Sequence, residues 1–149
     1  MSDSEQMRDT VLSIEDVHVG DRLPSRTIHV DRAALIRYTG ASLDRNPLHW
    51  DERFARSVGL PDVIAHGMFT MGTAINVVSE WAGDVGRVVE YGARFTKPVV
   101  VPYEQGADVE TAGVVTAVDE QSRRATVELT VTCGGDKVLG RALAVVVLD

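Results

Sequence analysis

The run from Ile64 to Ala82 constrains the fold more than any other part of this chain. Ile64, Met68, Met71, Ile75, Val78 and Ala82 recur at three- and four-residue steps, the period of a helix. Phe69, Ala74, Val77 and Trp81 make the other face largely apolar as well, which predicts a helix over 67–82 buried nearly all round. His66, Asn76 and Glu80 interrupt the run and argue against a bilayer span. After Gly86 the period changes to two. Strands are expected over 88–95, 107–118, 124–132 and 137–148. In the third, Val127, Leu129 and Val131 alternate with Thr126, Glu128 and Thr130. Asp119–Ser122 and Gly134–Asp136 suit hairpin turns. Strands segregated from helices predict an α+β fold, an antiparallel sheet curled around one long helix. Upstream, a short strand is expected over 26–30. Asp31 then caps a helix from Arg32 ended by Gly40, and a short helix over 51–58 is stopped by Gly59 and Pro61.

The chemistry is expected between these helices, in Tyr38–Asp51, read YTGASLDRNPLHWD. Asp44 and His49 flank Asn46-Pro47. Their spacing is wrong for one helix face, and an Asn-Pro step favours a turn, so the chain bends and can point both groups at one place. An acid and an imidazole that converge can remove one proton while delivering another, the chemistry of adding or eliminating water. The competing reading is a plain turn, with Asp44 capping it and His49 on the surface beside Trp50. Ala65-His66-Gly67 separates the two. Gly67 falls at the N-terminus of the buried helix, where N–H groups are unpaired and the dipole is positive. A glycine there lets a ligand oxygen approach, and an N–H aimed at a thioester carbonyl would stabilise an enolate-like charge. Tight helix packing is the alternative reason for that glycine. His66 reads as structural rather than catalytic.

Composition sets limits. The chain has 149 residues, enough for one domain with a real core, and its 25% charged and 44% hydrophobic residues are ordinary for a globular protein. A net charge of −7 gives no support to nucleic-acid binding or to adhesion to anionic membranes. The single cysteine, Cys133, precedes Gly134-Gly135 and excludes an internal disulfide, which suits a reducing cytoplasm. It reads as a hydrophobe beside a turn, not a nucleophile. Residues 1–14 are expected to be a frayed polar tail without signal-peptide character, and 15–149 the folded domain. His18, His29, His49 and His66 show no contiguous metal-ligand spacing, and no phosphate-binding glycine loop is present, so neither metal nor cofactor is expected.

Asp44, Asn46, Pro47, His49 and Asp51 match in order the hydratase signature of the MaoC-like family, (R)-specific enoyl-thioester hydratases of hot-dog fold. Ala65-His66-Gly67-Met68 resembles the opening of that family's central helix, and Arg94-Phe95-Thr96-Lys97-Pro98-Val99 the strand and turn after it. Within the family, the chain from about Glu15 onward most resembles the B-type subunit of the mycobacterial-type (3R)-hydroxyacyl-ACP dehydratase of type II fatty acid synthesis.

The resemblance implies a single hot-dog domain that eliminates water from a (3R)-3-hydroxyacyl thioester, or adds it to the trans-2-enoyl thioester. Gly67 N–H would bind the carbonyl oxygen, His49 act as base at C2, and Asp44 protonate the departing C3 hydroxyl or hold water, with Asn46 bracing the loop and water site. Which group serves which carbon stays open. His66, Leu43, Arg94 and Lys97 are substrate-binding candidates. Arg87, Arg94 and Lys97 would form a basic patch for an acyl-ACP or acyl-CoA if they gather at the channel mouth. The family usually carries glycine immediately before the catalytic Asp, where this chain has Leu43. A positive φ there would strain Leu43, unless the loop takes another path or the side chain lines the acyl channel. The implied assembly is a homodimer, or a heterodimer with a second hot-dog subunit. Alternatives are a short-chain (R)-enoyl-CoA hydratase, a hot-dog thioesterase, or a non-catalytic acyl-binding subunit.

Overall fold

The computed structural model describes residues 12–149. The elements are β1 (Arg22–Val30), α1 (Arg32–Ser42), α2 (Glu52–Ser57), α3 (Gly67–Ala82), β2 (Val88–Phe95), β3 (Ala107–Asp119), β4 (Arg124–Cys133) and β5 (Asp136–Val147). The strands form one sheet in the order β1-β3-β4-β5-β2, every pair antiparallel. Helix α3 packs against all five strands. This is the helix-in-sheet arrangement that the residue periods predict.

The alternation in β4 sets which side is inside. Ala125, Val127, Leu129 and Val131 are buried beneath α3 with Val115 of β3 and Ala142, Ala144 and Val146 of β5. A two-residue hairpin joins β4 to β5, with Cys133 opposite Asp136. Its tip has φ 58° at Gly134 and 83° at Gly135, and a primed turn needs positive φ at both central residues. Tyr91 of β2 ties the sheet to the helix, its hydroxyl donating to Met71 O at 2.9 Å. Burial pushes that phenol up to about 12.

Helix α3 begins and ends as expected, but it is not buried all round. Met68, Gly72, Asn76 and Glu80, spaced four apart, leave an exposed stripe, and Met68 is 60% exposed. An apolar sequence face reports what a helix needs to cover, and within this chain the sheet covers only one side of α3. Gly40 does not end α1 either. The helix continues to Ser42, and Leu43 serves as its C-cap in the left-handed region. Asp31 caps the other end as expected, accepting from Ala34 N–H.

The first eleven residues of the expected tail lie outside the described residues. Ile14, placed in that tail, is instead buried, and its N–H donates to Asp149 O at 2.9 Å. Packing against the last residue thus extends the fold to at least Ile14. Among the described residues, no helix is long and apolar enough to cross a membrane.

Candidate active site

Three chain segments build the site: the loop after α1, the turn before α2, and the approach to α3. Asn46 starts a short 3-10 turn, Pro47–His49, and its side chain accepts from Leu48 N–H. Asp44 Oδ1 accepts from Asn46 N–H at 3.2 Å, and Trp50 Nε1 donates to Arg45 O at 3.1 Å. Asn46 and Pro47 thus bend the chain where a turn was expected, and Trp50 clamps the bend. His49 is buried, not on the surface as a plain turn requires.

The contacts of His49 decide its tautomer. Its Nδ1 lies 2.7 Å from Ile64 O, which can only accept, so Nδ1 carries the hydrogen and Nε2 presents the lone pair. That Nε2 faces Asp44 Oδ2 at 3.9 Å. The gap is too long for a direct hydrogen bond and fits two groups that each hold one shared atom at about 2.8 Å. Burial lowers the His49 pKa from 6.5, the Ile64 carbonyl opposes this, and His66 adds to the lowering. The imidazole is therefore held as a free base at neutral pH.

His66 stacks on His49, with ring centroids 3.6 Å apart and planes at 21°. Its Nε2 lies 3.1 Å from Asp44 O, and its Nδ1 is buried without a partner. Tyr38 meets the His66 ring edge-on at 4.7 Å and Phe69 at 5.4 Å. Donor atoms of Asp44, His49 and His66 lie within 4.8 Å of one another, a set that could hold a metal ion. Spacing along the chain did not show this set, because His66 joins Asp44 and His49 from a separate segment.

Gly67 opens α3, where the first N–H groups have no intrahelical partner and His66 supplies no side-chain cap. A Cβ at Gly67 would sit 2.9 Å from the Phe95 ring. The space that glycine leaves is therefore filled by Phe95 at the end of β2, and the ligand approach expected there has to come along the N–H direction.

The Asp44 side chain is 53% exposed in this chain. One expectation is corrected: the three basic residues do not gather. Arg87 donates to Leu12 O and Ala82 O and pairs with Asp149, a structural clamp. Lys97 pairs with Asp136 at 2.7 Å. Arg94 lies beside Thr126, Arg141 and Leu143 on the outer face of the sheet, opposite α3. Strand alternation puts Phe95 on the site side and so turns Arg94 away. Cys133 is no nucleophile candidate, since burial and then the carboxylates of Asp108, Asp136 and Glu110 raise its thiol pKa.

Leu43 takes φ 61° and ψ 10°, the left-handed conformation that its departure from glycine makes costly. The side chain is exposed and buries little. Leu43→Gly is therefore expected to stabilise the protein by roughly 0.5–1 kcal/mol, the relief of left-handed strain less the entropy of glycine. Urea unfolding of the two proteins measures this, and a destabilised variant would show that Leu43 packs against something in solution.

Sequence reading assigned no role to Tyr38, Ile64 or Phe95 in this site. The carbonyl of Ile64 is a backbone group that any residue would supply. The two rings are recognisable only once the fold brings them to His66 and Gly67.

Comparison with known proteins follows the same lines. The family described as MaoC like domain matches residues 15–133. The 3-hydroxyacyl-thioester dehydratase X of Mycobacterium tuberculosis is 35% identical over 83 residues, 56% of this chain and 29% of that protein. The chain thus spans less than a third of that relative. The 3-hydroxybutyryl-CoA dehydratase of Methylorubrum extorquens is 32% identical over 137 residues, 89% of this chain and 83% of that protein. Among solved structures, a MaoC-like dehydratase superposes with a TM-score of 0.90 at 42% identity, covering 92% of this chain and 42% of that one. An (R)-hydratase from A. caviae involved in PHA biosynthesis gives 0.80 at 26%, covering 91% and 99%.

Proposed function

Because the chain belongs to the MaoC-like domain family, we propose that it is a hydro-lyase that interconverts (3R)-3-hydroxyacyl and trans-2-enoyl thioesters. The observation that carries this reading is the His49 Nε2 lone pair facing the Asp44 carboxyl group at 3.9 Å, beside the first turn of α3.

In the dehydration direction the thioester carbonyl oxygen accepts from Gly67 N–H. His49 Nε2 takes the proton from C2, and the carbanion's charge spreads onto that oxygen, where the N–H and the helix dipole stabilise it. Asp44, in its protonated form, gives a proton to the C3 hydroxyl, which leaves as water while the C2–C3 double bond forms. Hydration runs these steps backwards: Asp44 accepts the proton of the attacking water and His49 returns one to C2. Asn46 acts through the backbone of the loop and holds the turn in which the pair sits.

The substrate is an acyl thioester of a carrier protein or of coenzyme A. Leu43, Trp50, Met68 and Phe95 are all exposed, each at or next to a site residue. Together with the half-exposed Asp44, they support a second hot-dog subunit, identical or not, closing over this rim. The edge strand β2 offers unpaired backbone groups for joining two sheets. The lone thiol fits a cytoplasmic protein.

With crotonyl-CoA, loss of the conjugated enoyl-thioester absorbance is the expected result, with (3R)-3-hydroxybutyryl-CoA as product. Release of free thiol instead would make the protein a thioesterase. The pH profile is a second check. His49 works as a base only when neutral, and its pKa is lowered below 6.5. The rate of dehydration of (3R)-3-hydroxybutyryl-CoA should therefore persist as pH falls past 6.5 and decline only through the lowered value. An acid limb at or above an ordinary histidine pKa counts against His49 as the base.

A further inference from the structure

His66 occupies the helix N-cap position yet makes no capping bond, so its side chain does nothing direct for α3. Its contacts all go to the acid–base pair and to aromatic packing. The Asp44 carbonyl can only accept, so His66 Nε2 carries the hydrogen of that 3.1 Å contact, and the buried Nδ1 presents a lone pair. The two stacked imidazoles thus hold opposite tautomers: His49 donates from Nδ1 and keeps Nε2 free, while His66 donates from Nε2. Tyr38 closes against the His66 ring and is itself held against Phe69, so the His66 ring has little freedom to turn.

We propose that His66 is the positioning residue of the site: one ring fixes Asp44 through its carbonyl and His49 through its face, without touching substrate. The inference rests on the hydratase reading and deepens it. The Asp44 side chain is exposed and follows a residue in the left-handed region, so its backbone is what must be held. Among the described residues, only Ser42 Oγ, at 3.2 Å from Asp44 N, and His66 hold that residue's backbone N–H and carbonyl. His49 hangs from one bond to Ile64 O, about which its ring would swing, and the His66 face blocks that swing. A displacement of about 1 Å between reacting groups is enough to cost on the order of 100-fold in rate.

Two variants separate the two contacts. His66→Phe keeps the stacking face and removes the donor. His66→Gln keeps a donor and removes the ring. The charged or titratable groups facing His66 are His49 on its face, the Tyr38 phenol on its edge and Asp44 on the loop. Each variant should lower kcat for crotonyl-CoA roughly 10- to 100-fold, with KM within about threefold of wild type. The acid limb of kcat/KM for dehydration of (3R)-3-hydroxybutyryl-CoA, the direction in which His49 is the base, should move to higher pH, because burial and His66 both hold the His49 pKa down. A raised KM at unchanged kcat would make His66 a substrate contact, unchanged kinetics would make it idle, and a lower kcat with an unmoved limb would make it merely structural. Each overturns the proposal. If His66→Gln fails to fold, His66→Phe carries the same readouts. An inactive wild type defeats the hydratase reading. The positioning role is then decided by NMR titration of His49, whose midpoint rises in the variants or, by staying put, refutes it.

Discussion

Asp44→Asn and His49→Ala should each cost about 100- to 10,000-fold in hydration rate while leaving the fold in place, the range by which positioned acids and bases contribute. Asp44→Asn is the cleaner of the two. The side chain is exposed, and its oxygen can still accept from Asn46 N–H, so the loop geometry survives. What disappears is the carboxylate that takes the proton of the attacking water. His49→Ala removes a buried ring as well as a base, so part of its loss is structural. The stack on His66 and the bond to Ile64 O both go. His49→Gln is therefore the better partner, since an amide N–H can still serve the Ile64 carbonyl while no base remains. If the pair acts as one unit on one substrate, the double variant Asp44→Asn/His49→Gln should be little worse than the poorer single variant. Additive losses would mean that the two residues act in separate steps. A near-normal rate in Asp44→Asn, with unfolding by circular dichroism unchanged, would remove Asp44 from the mechanism.

How much of this was legible beforehand differs by kind of feature. The strands β2 to β5 and helix α3 follow from periods of two and of 3.6, because burial on one side imposes those periods directly. The end of α1 was misplaced at Gly40, since a glycine signals a helix end only where positive φ is used, and here Leu43 takes that conformation. The convergence of Asp44 and His49 was readable from the Asn46-Pro47 bend. The tautomer of His49 was not, because it depends on the Ile64 carbonyl, fifteen residues on. The charged candidates fared worst. Arg87, Arg94 and Lys97 lie close in sequence, but their destinations are fixed by strand alternation and by distant partners such as Asp149 and Asp136. The all-round apolar face of α3 reported a need for cover that the described residues meet on one side only, and the proposed second subunit is what would cover its exposed stripe and the open rim around Asp44.

Arg32 is the residue on which the geometry of the site depends from a distance, and Arg32→Met is the second change expected to have a large effect. Its side chain is 16% exposed. Nε donates to Val101 O at 2.7 Å, and Nη2 reaches Asp62 at 2.8 Å and Glu52 at 2.9 Å, with Tyr103 under the guanidinium at 5.6 Å. One side chain of α1 thus joins α2, the segment after β2, and the stretch that leads into α3. That last stretch is held to the fold by Ala65 N–H on Val99 O and Val101 N–H on Val63 O, both at 2.9 Å, and it carries the Ile64 carbonyl that orients His49. Removing the guanidinium strands Asp62, itself 16% exposed, beside Glu52, where among the described residues the looser Arg56 is the cation that remains. Breaking a buried pair from one side costs about 3–5 kcal/mol; the residual solvent here brings the expectation to about 2–3 kcal/mol, or roughly 5–10 °C in melting temperature for a domain of this size. Arg32→Lys should recover only part of this, since an ammonium cannot present the fork that serves a carbonyl and two carboxylates together. Adding Asp62→Asn to Arg32→Met removes the stranded charge and should restore stability relative to Arg32→Met alone, a coupling that a thermal melt of the four proteins measures. If the double variant is as unstable as the sum of the singles, the clamp is held by packing of the Arg32 stem and not by its charge, and the Ile64 carbonyl owes its place to the Val99–Val101 pairing instead.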